Sequence, residues 1–90
     1  MQYQDIFLIE NRLGLHARAA SVLAQLATSF DAKVILQQGN KEAQADSVLA
    51  LMLLEGAKGK KVTVTCSGPD AKIALKTIGE LIADKFHEQE

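Results

Sequence analysis

The 90-residue sequence contains no tryptophan, one tyrosine, three phenylalanines, one proline and one cysteine. A single cysteine excludes an internal disulfide, and no metal-ligand spacing surrounds Cys66. It alternates with Val62 and Val64, so it reads as a packed strand thiol rather than a nucleophile. Ten basic residues against eleven acidic ones leave a net charge of -1. Duplex binding usually rests on a basic face, and base recognition on exposed aromatics, so nucleic acid is not an expected partner. The densest basic stretch, Lys58 to Lys61, reads as a solvated turn before a strand. The longest apolar run, Val48 to Leu54, is far short of the roughly 20 residues that cross a bilayer. Met1 to Asp5 is polar and acidic, unlike a targeting segment, so the expected location is the cytoplasm, without membrane insertion.

What remains is ordinary globular composition, 48% hydrophobic and 23% charged. Such a length makes one domain, residues 1–90, with no linker, repeat or low-complexity segment. Its core is too small to enclose a deep substrate cavity, so any chemistry should lie near the surface. Tyr3 to Glu10, with Ile6, Phe7, Leu8 and Ile9, reads as a buried strand. Ala19, Val22, Leu23, Leu26, Ala27 and Phe30 repeat at helical spacing. Ala32, Val34 and Leu36 form a strand, Gly39-Asn40 a hairpin turn, and Glu42 to Ala45 a weaker return strand. Ser47 can cap a short helix running to about Glu55. Lys61 to Cys66 alternates as a half-buried strand. Pro69 suits the first turn of a last helix, whose apolar stripe runs from Ala71 through Ile82 to Phe86. The order is βαββαβα. Its economical packing is an α+β fold, a four-stranded, largely antiparallel sheet with three helices on one face.

The chemistry concentrates in Gly14-Leu15-His16-Ala17-Arg18-Ala19-Ala20, where the first loop enters the first helix. His16 falls at the N-cap or beside it, and the free N–H groups of Ala17, Arg18 and Ala19 converge beyond its ring. A helix N-terminus carries partial positive charge and binds phosphate readily. Arg18 adds a forked, permanent cation. Positive surroundings favour the uncharged ring, whose nitrogen lone pair can attack a phosphoryl donor. The resulting phosphoramidate stores the group and passes it on, without a metal or other cofactor. On spacing alone, the competing reading of His16 is an ordinary surface residue or cap. No carboxylate lies close in sequence to complete a hydrolytic triad, and one ligand makes no metal site. His87, in a polar tail, reads as solvated surface.

Gly14-Leu15-His16-Ala17-Arg18 with Ala20, the element order and the helix start Ala45-Asp46-Ser47 together resemble the HPr family, along essentially the whole chain. These are the phosphocarrier proteins of the bacterial phosphoenolpyruvate-dependent phosphotransferase system. Asn11-Arg12-Leu13-Gly14-Leu15-His16 and Asp46-Ser47-Val48-Leu49-Ala50-Leu51 are closer to the nitrogen-regulatory, NPr-type branch than to the sugar branch. The resemblance implies an open-faced β-sandwich, phosphorylation of His16 at Nδ1, and Arg18 as the phosphate-binding neighbour. It also implies an enzyme I-type donor, an enzyme IIA-type acceptor and a monomeric carrier that is not itself an enzyme with its own turnover. The alternative is a regulatory binding module of the same fold whose docking is modulated by phosphorylation.

Ala19 departs from the family's usual proline. It restores an N–H and favours helix, so a slightly more mobile active-centre loop is expected. Val48 to Leu54 is apolar on all sides and cannot bury every residue against one sheet. Leu51 and Leu54 read as core; Val48, Leu49 and Met52 are the candidate partner-docking surface, where the adaptable Met52 can serve several partners. Ser47 is explained as an N-cap, and the matching serine is a kinase-controlled regulatory site in some members of the family.

Overall fold

The computed structural model describes residues 1–90. Its elements are β1 (Gln2–Leu8), α1 (Ala17–Thr28), β2 (Lys33–Gln38), β3 (Lys41–Gln44), α2 (Val48–Leu53), β4 (Lys61–Ser67) and α3 (Ala71–Ala83), followed by one 3₁₀ turn at Lys85–His87. The strands form a single antiparallel sheet in the order β1-β4-β2-β3. Pairing of Gln38 with Lys41 leaves Gly39-Asn40 as the two-residue turn, and Gly39 has the positive φ of +60° such turns favour. β4 lies inside the sheet, and its alternation is the clearest in the chain: Val62, Val64 and Cys66 are buried, while Thr63 and Thr65 are half-buried.

The helices cover one face of this sheet. α1 turns Ala19, Ala20, Leu23, Ala24 and Ala27 inward, and α3 turns Ala71, Ala74, Ile78, Leu81 and Ile82. Gly79 on α3 has no side chain because the Phe7 ring sits where its Cβ would be. The opposite face is open, as the fold class requires.

Three local expectations change. β1 is an edge strand with one covered face, so only its alternate residues pack. Phe7 is half-buried, Ile9 is buried just beyond the strand's end, and Ile6 and Leu8 stand exposed. Their cross-strand neighbours Thr63 and Lys61 share that open face. α3 begins at Ala71 with Asp70 as N-cap, so Pro69 precedes the helix instead of opening it. Asp70 also accepts a hydrogen bond from the Asp31 N–H at 2.7 Å, tying the α1–β2 loop to the start of α3. Finally, Phe86 is fully buried but is not on the α3 stripe. Lys85, Phe86 and His87 all have left-handed φ, +56°, +55° and +66°. That reversal costs backbone energy for residues with a Cβ, and burial of the phenyl ring offsets it. The same reversal returns the tail towards the start of α1.

Candidate functional site

The loop before α1 is braced at both ends. Gly14 has φ +63°, and a Cβ there would strike the Gly56 carbonyl oxygen, so no other residue fits without a shift. Leu15 is buried and donates its N–H to that same oxygen at 2.9 Å. Asn11 is fully buried and donates from Nδ2 to the Gly14 carbonyl at 2.8 Å.

This frame sets His16 as the N-cap of α1, in extended conformation. The first intrahelical bond runs from the Ala20 N–H to the His16 carbonyl at 2.8 Å. The N–H groups of Ala17, Arg18 and Ala19 therefore have no intrahelical acceptor. The His16 side chain does not cap them, and the first turn contains no acidic residue. Ala17 and Arg18 are exposed, whereas the Ala19 methyl is buried in the core and only its backbone can serve an anion.

The His16 side chain is 28% exposed, open enough to meet another molecule. Its Nε2 lies 2.5 Å from Oε2 of Glu88. Arg18 donates from Nη1 to the same oxygen at 2.9 Å and to the Phe86 carbonyl at 3.1 Å. Asn11 donates its second amide hydrogen to Glu88 Oε1 at 3.0 Å. Burial pushes the Glu88 carboxyl up, but the hydrogen bonds from Asn11 and His16 and the charges of His16 and Arg18 outweigh it, leaving it below the ordinary value. The sequence suggested wholly positive surroundings for the ring, and the Glu88 carboxylate corrects that expectation. Glu88 lies 72 residues from His16 in a stretch that reads as polar tail, and no local pattern points to it. Arg12 holds the tail a second time, through an exposed ion pair with Glu90 at 3.3 Å and a backbone hydrogen bond to its carbonyl.

His16 borders two depressions. One, of about 440 Å³, lies between Arg12, Leu13, Arg18 and the tail; the other, of about 210 Å³, lies between Leu13, Leu15, Met52 and Gly56. The second connects the histidine to α2. There Leu49 is 66% and Met52 42% exposed, while Leu51 and Leu54 are buried. Val48 corrects the expectation in part, because it is half-buried and packs on the core. Leu53 and Leu13, which the sequence reading did not select, are exposed and complete the apolar rim. Ser47 is half-buried and caps α2, its hydroxyl accepting the Ala50 N–H at 3.1 Å.

Of the remaining candidates, His87 lines the larger depression but does not bond to His16, and Cys66 lies away from it in β4. His87 is exposed and pairs with Asp84 through Nδ1 at 2.6 Å. Cys66 is buried in β4, and burial pushes its thiol up, away from thiolate chemistry. One imidazole and one carboxylate at the site are fewer protein donors than a zinc centre uses.

A family model described as "PTS HPr component phosphorylation site" matches residues 3–84. The phosphocarrier protein NPr of Shewanella violacea is 51% identical over 78 residues, covering 87% of this chain and 86% of that protein. The phosphocarrier protein HPr of Cupriavidus necator is 39% identical over 90 residues, the full length of both. A crystal structure of HPr from Thermoanaerobacter tengcongensis superposes with a TM-score of 0.93 at 32% identity, over 98% of this chain and 99% of that one. With a histidine and an arginine at an uncapped helix start, on an open-faced sandwich matched from end to end, the chain belongs to the HPr family of phosphotransferase-system phosphocarriers, on the side of its NPr-type members.

Proposed function

We infer that His16 is the phosphoryl-accepting residue, loaded by a phosphorylated enzyme I-type protein and unloaded by an enzyme IIA-type protein. The observation that carries this reading is the uncapped start of α1, where His16 is the N-cap, three amides have no intrahelical partner, and the His16 ring and the Arg18 guanidinium meet at one Glu88 oxygen. The Nδ1 lone pair attacks the donor's phosphorus, the donor's bond to phosphorus breaks, and the phosphoryl group passes to His16. Its oxygens take the free amides of Ala17, Arg18 and Ala19 and the Arg18 guanidinium as their partners. Transfer to the acceptor runs the same steps in reverse, so the chain turns over no substrate of its own. It works as a cytoplasmic monomer.

Partners dock over the rim that runs from His16 through Leu13 and Met52 to Leu49 and Leu53, with Val48 contributing its exposed part. A phosphate on Ser47 would put negative charge beside that rim, which makes the residue a candidate regulatory site as well as a cap.

Incubation with phosphoenolpyruvate and enzyme I tests the reading. The wild type should gain an acid-labile, base-stable phosphoryl group and surrender it when an enzyme IIA is added; His16→Ala should gain none. A phosphorylated His16→Ala protein, or a wild type that cannot be loaded, refutes it.

A further inference from the structure

Glu88 is the inward-facing carboxylate of the tail: its side chain is 16% exposed, against 73% for Glu90. Both oxygens are held. Oε1 accepts from Asn11, whose own position is set by burial and by its bond to the Gly14 carbonyl. Oε2 accepts from Arg18 and faces His16 Nε2. An ionised carboxylate can only accept hydrogen bonds, so Nε2 must be the nitrogen that carries the proton. A neutral imidazole has one N–H, so the lone pair then belongs to Nδ1.

We propose that Glu88 is a positioning residue that holds the His16 ring as its Nε2–H tautomer and thereby selects Nδ1 as the atom that takes the phosphoryl group. This rests on the phosphocarrier reading above. As Nδ1 attacks, the Nδ1–P bond forms and the donor's bond to phosphorus breaks, its electron pair returning to the donor atom. The Nε2 proton stays in place, and the positive charge that develops on the ring faces the carboxylate. The aspartate behind the histidine of a serine hydrolase does the same work, with the two ring nitrogens exchanged. Arg18 can serve both anions at once. Its bonds to Glu88 and to the Phe86 carbonyl both run through Nη1, which leaves Nη2 and Nε for phosphoryl oxygens. The exposed Arg12–Glu90 pair, of the kind that contributes little on its own, is a second tether for the tail.

The test compares wild type, Glu88→Ala and Glu88→Gln. Nitrogen-15 spectra of the unphosphorylated proteins report which ring nitrogen of His16 is protonated. Phosphoramidate then serves as a small-molecule donor: its P–N bond breaks, ammonia leaves with a proton from solvent, and the phosphohistidine isomer is identified by NMR. Wild type should show a protonated Nε2 and a product phosphorylated at Nδ1. Glu88→Ala should show both tautomers and lose about tenfold in the rate of Nδ1 phosphorylation, the low end of the loss when a carboxylate that orients a metal-bound histidine is removed. Glu88→Gln, whose amide oxygen can still accept from Nε2–H, should restore the wild-type tautomer. Circular dichroism checks that Glu88→Ala is folded, which is expected because Glu88 lies beyond the last helix and outside the sheet. An Ala variant that keeps the Nε2–H signature and the wild-type rate overturns the proposal. A wild type that shows the signature but accepts nothing from enzyme I supports the proposal and strikes the carrier reading instead.

Discussion

Two helices of this protein begin on opposite terms. At α2, Ser47 is an ordinary cap whose hydroxyl takes the Ala50 N–H. At α1 the capping position is held by His16, whose ring turns to Glu88, and the first amides are left without a side-chain partner. A cap of the serine type stabilises a helix by about 1 kcal/mol, so α1 forgoes stability that α2 keeps. Donors left unspent by the fold are donors available to a ligand. The difference separates a helix start whose donors are used by its own cap from one whose donors are free for the anion that the proposed function requires.

The largest effect that would sharpen this contrast is on transfer. Arg18→Ala should slow loading of His16 about a hundredfold, the scale of losing one preorganised donor to a developing charge. Rapid-quench measurement of phosphoryl uptake reads it, and an unaltered rate would mean that the guanidinium does not touch the phosphoryl group. Next comes the rim that α2 presents. Leu49→Asp should reduce transfer about tenfold while leaving the melting temperature near that of wild type, since an exposed side chain is being changed. Equal transfer rates in both proteins would remove α2 from the docking surface.

Stability measurements can break the comparison directly. Ser47→Ala should cost about 1 kcal/mol, a drop of about 4–8 °C in melting temperature, with transfer at 25 °C unaffected. The converse holds at α1: His16→Ser should melt above His16→Ala by a similar margin, since serine supplies the missing cap, while neither accepts phosphate. If the two melt together, the start of α1 is not deprived of a cap in any energetic sense. The smallest effect is on pH. Glu88 is held below the ordinary carboxyl value of 4.5, so its docking contributes stability above that pH and loses it as the pH falls through the lowered value. The carboxyl carbon shift of Glu88 should therefore titrate below 4.5, alongside release of the Arg18 contact; titration at or above it would contradict the docked carboxylate.

How much of this was legible in the sequence depends on the range of the interaction. The α1 register, the alternation of β4 and the place of His16 at a helix start all follow from residues within a few positions of one another. Ile6 and Leu8 misled because an apolar run does not say whether one or both faces of its strand are covered. That depends on which layers pack on the sheet, and here the helices cover one face and leave the other open along the edge strand β1 and the inner strand β4 alike. Phe86 misled for a related reason. Its spacing from Ile82 continues the helical stripe, yet the chain buries it through a left-handed reversal that has no periodic signature. Glu88 was out of reach altogether, since its role exists only after that reversal brings it across 72 positions to His16. Val48 proved half-buried, and the exposed Leu53 was not selected, because a run apolar on every side leaves its rotation open.

The buried Phe86 ring has a mechanical consequence. It acts as a pin that fixes where the short terminal arm leaves the body of the protein, so Glu88 reaches His16 without any contribution from the sheet. Because Arg18 meets that arm through Nη1 alone, an arriving phosphoryl group can take the other guanidinium nitrogens with the arm still in place.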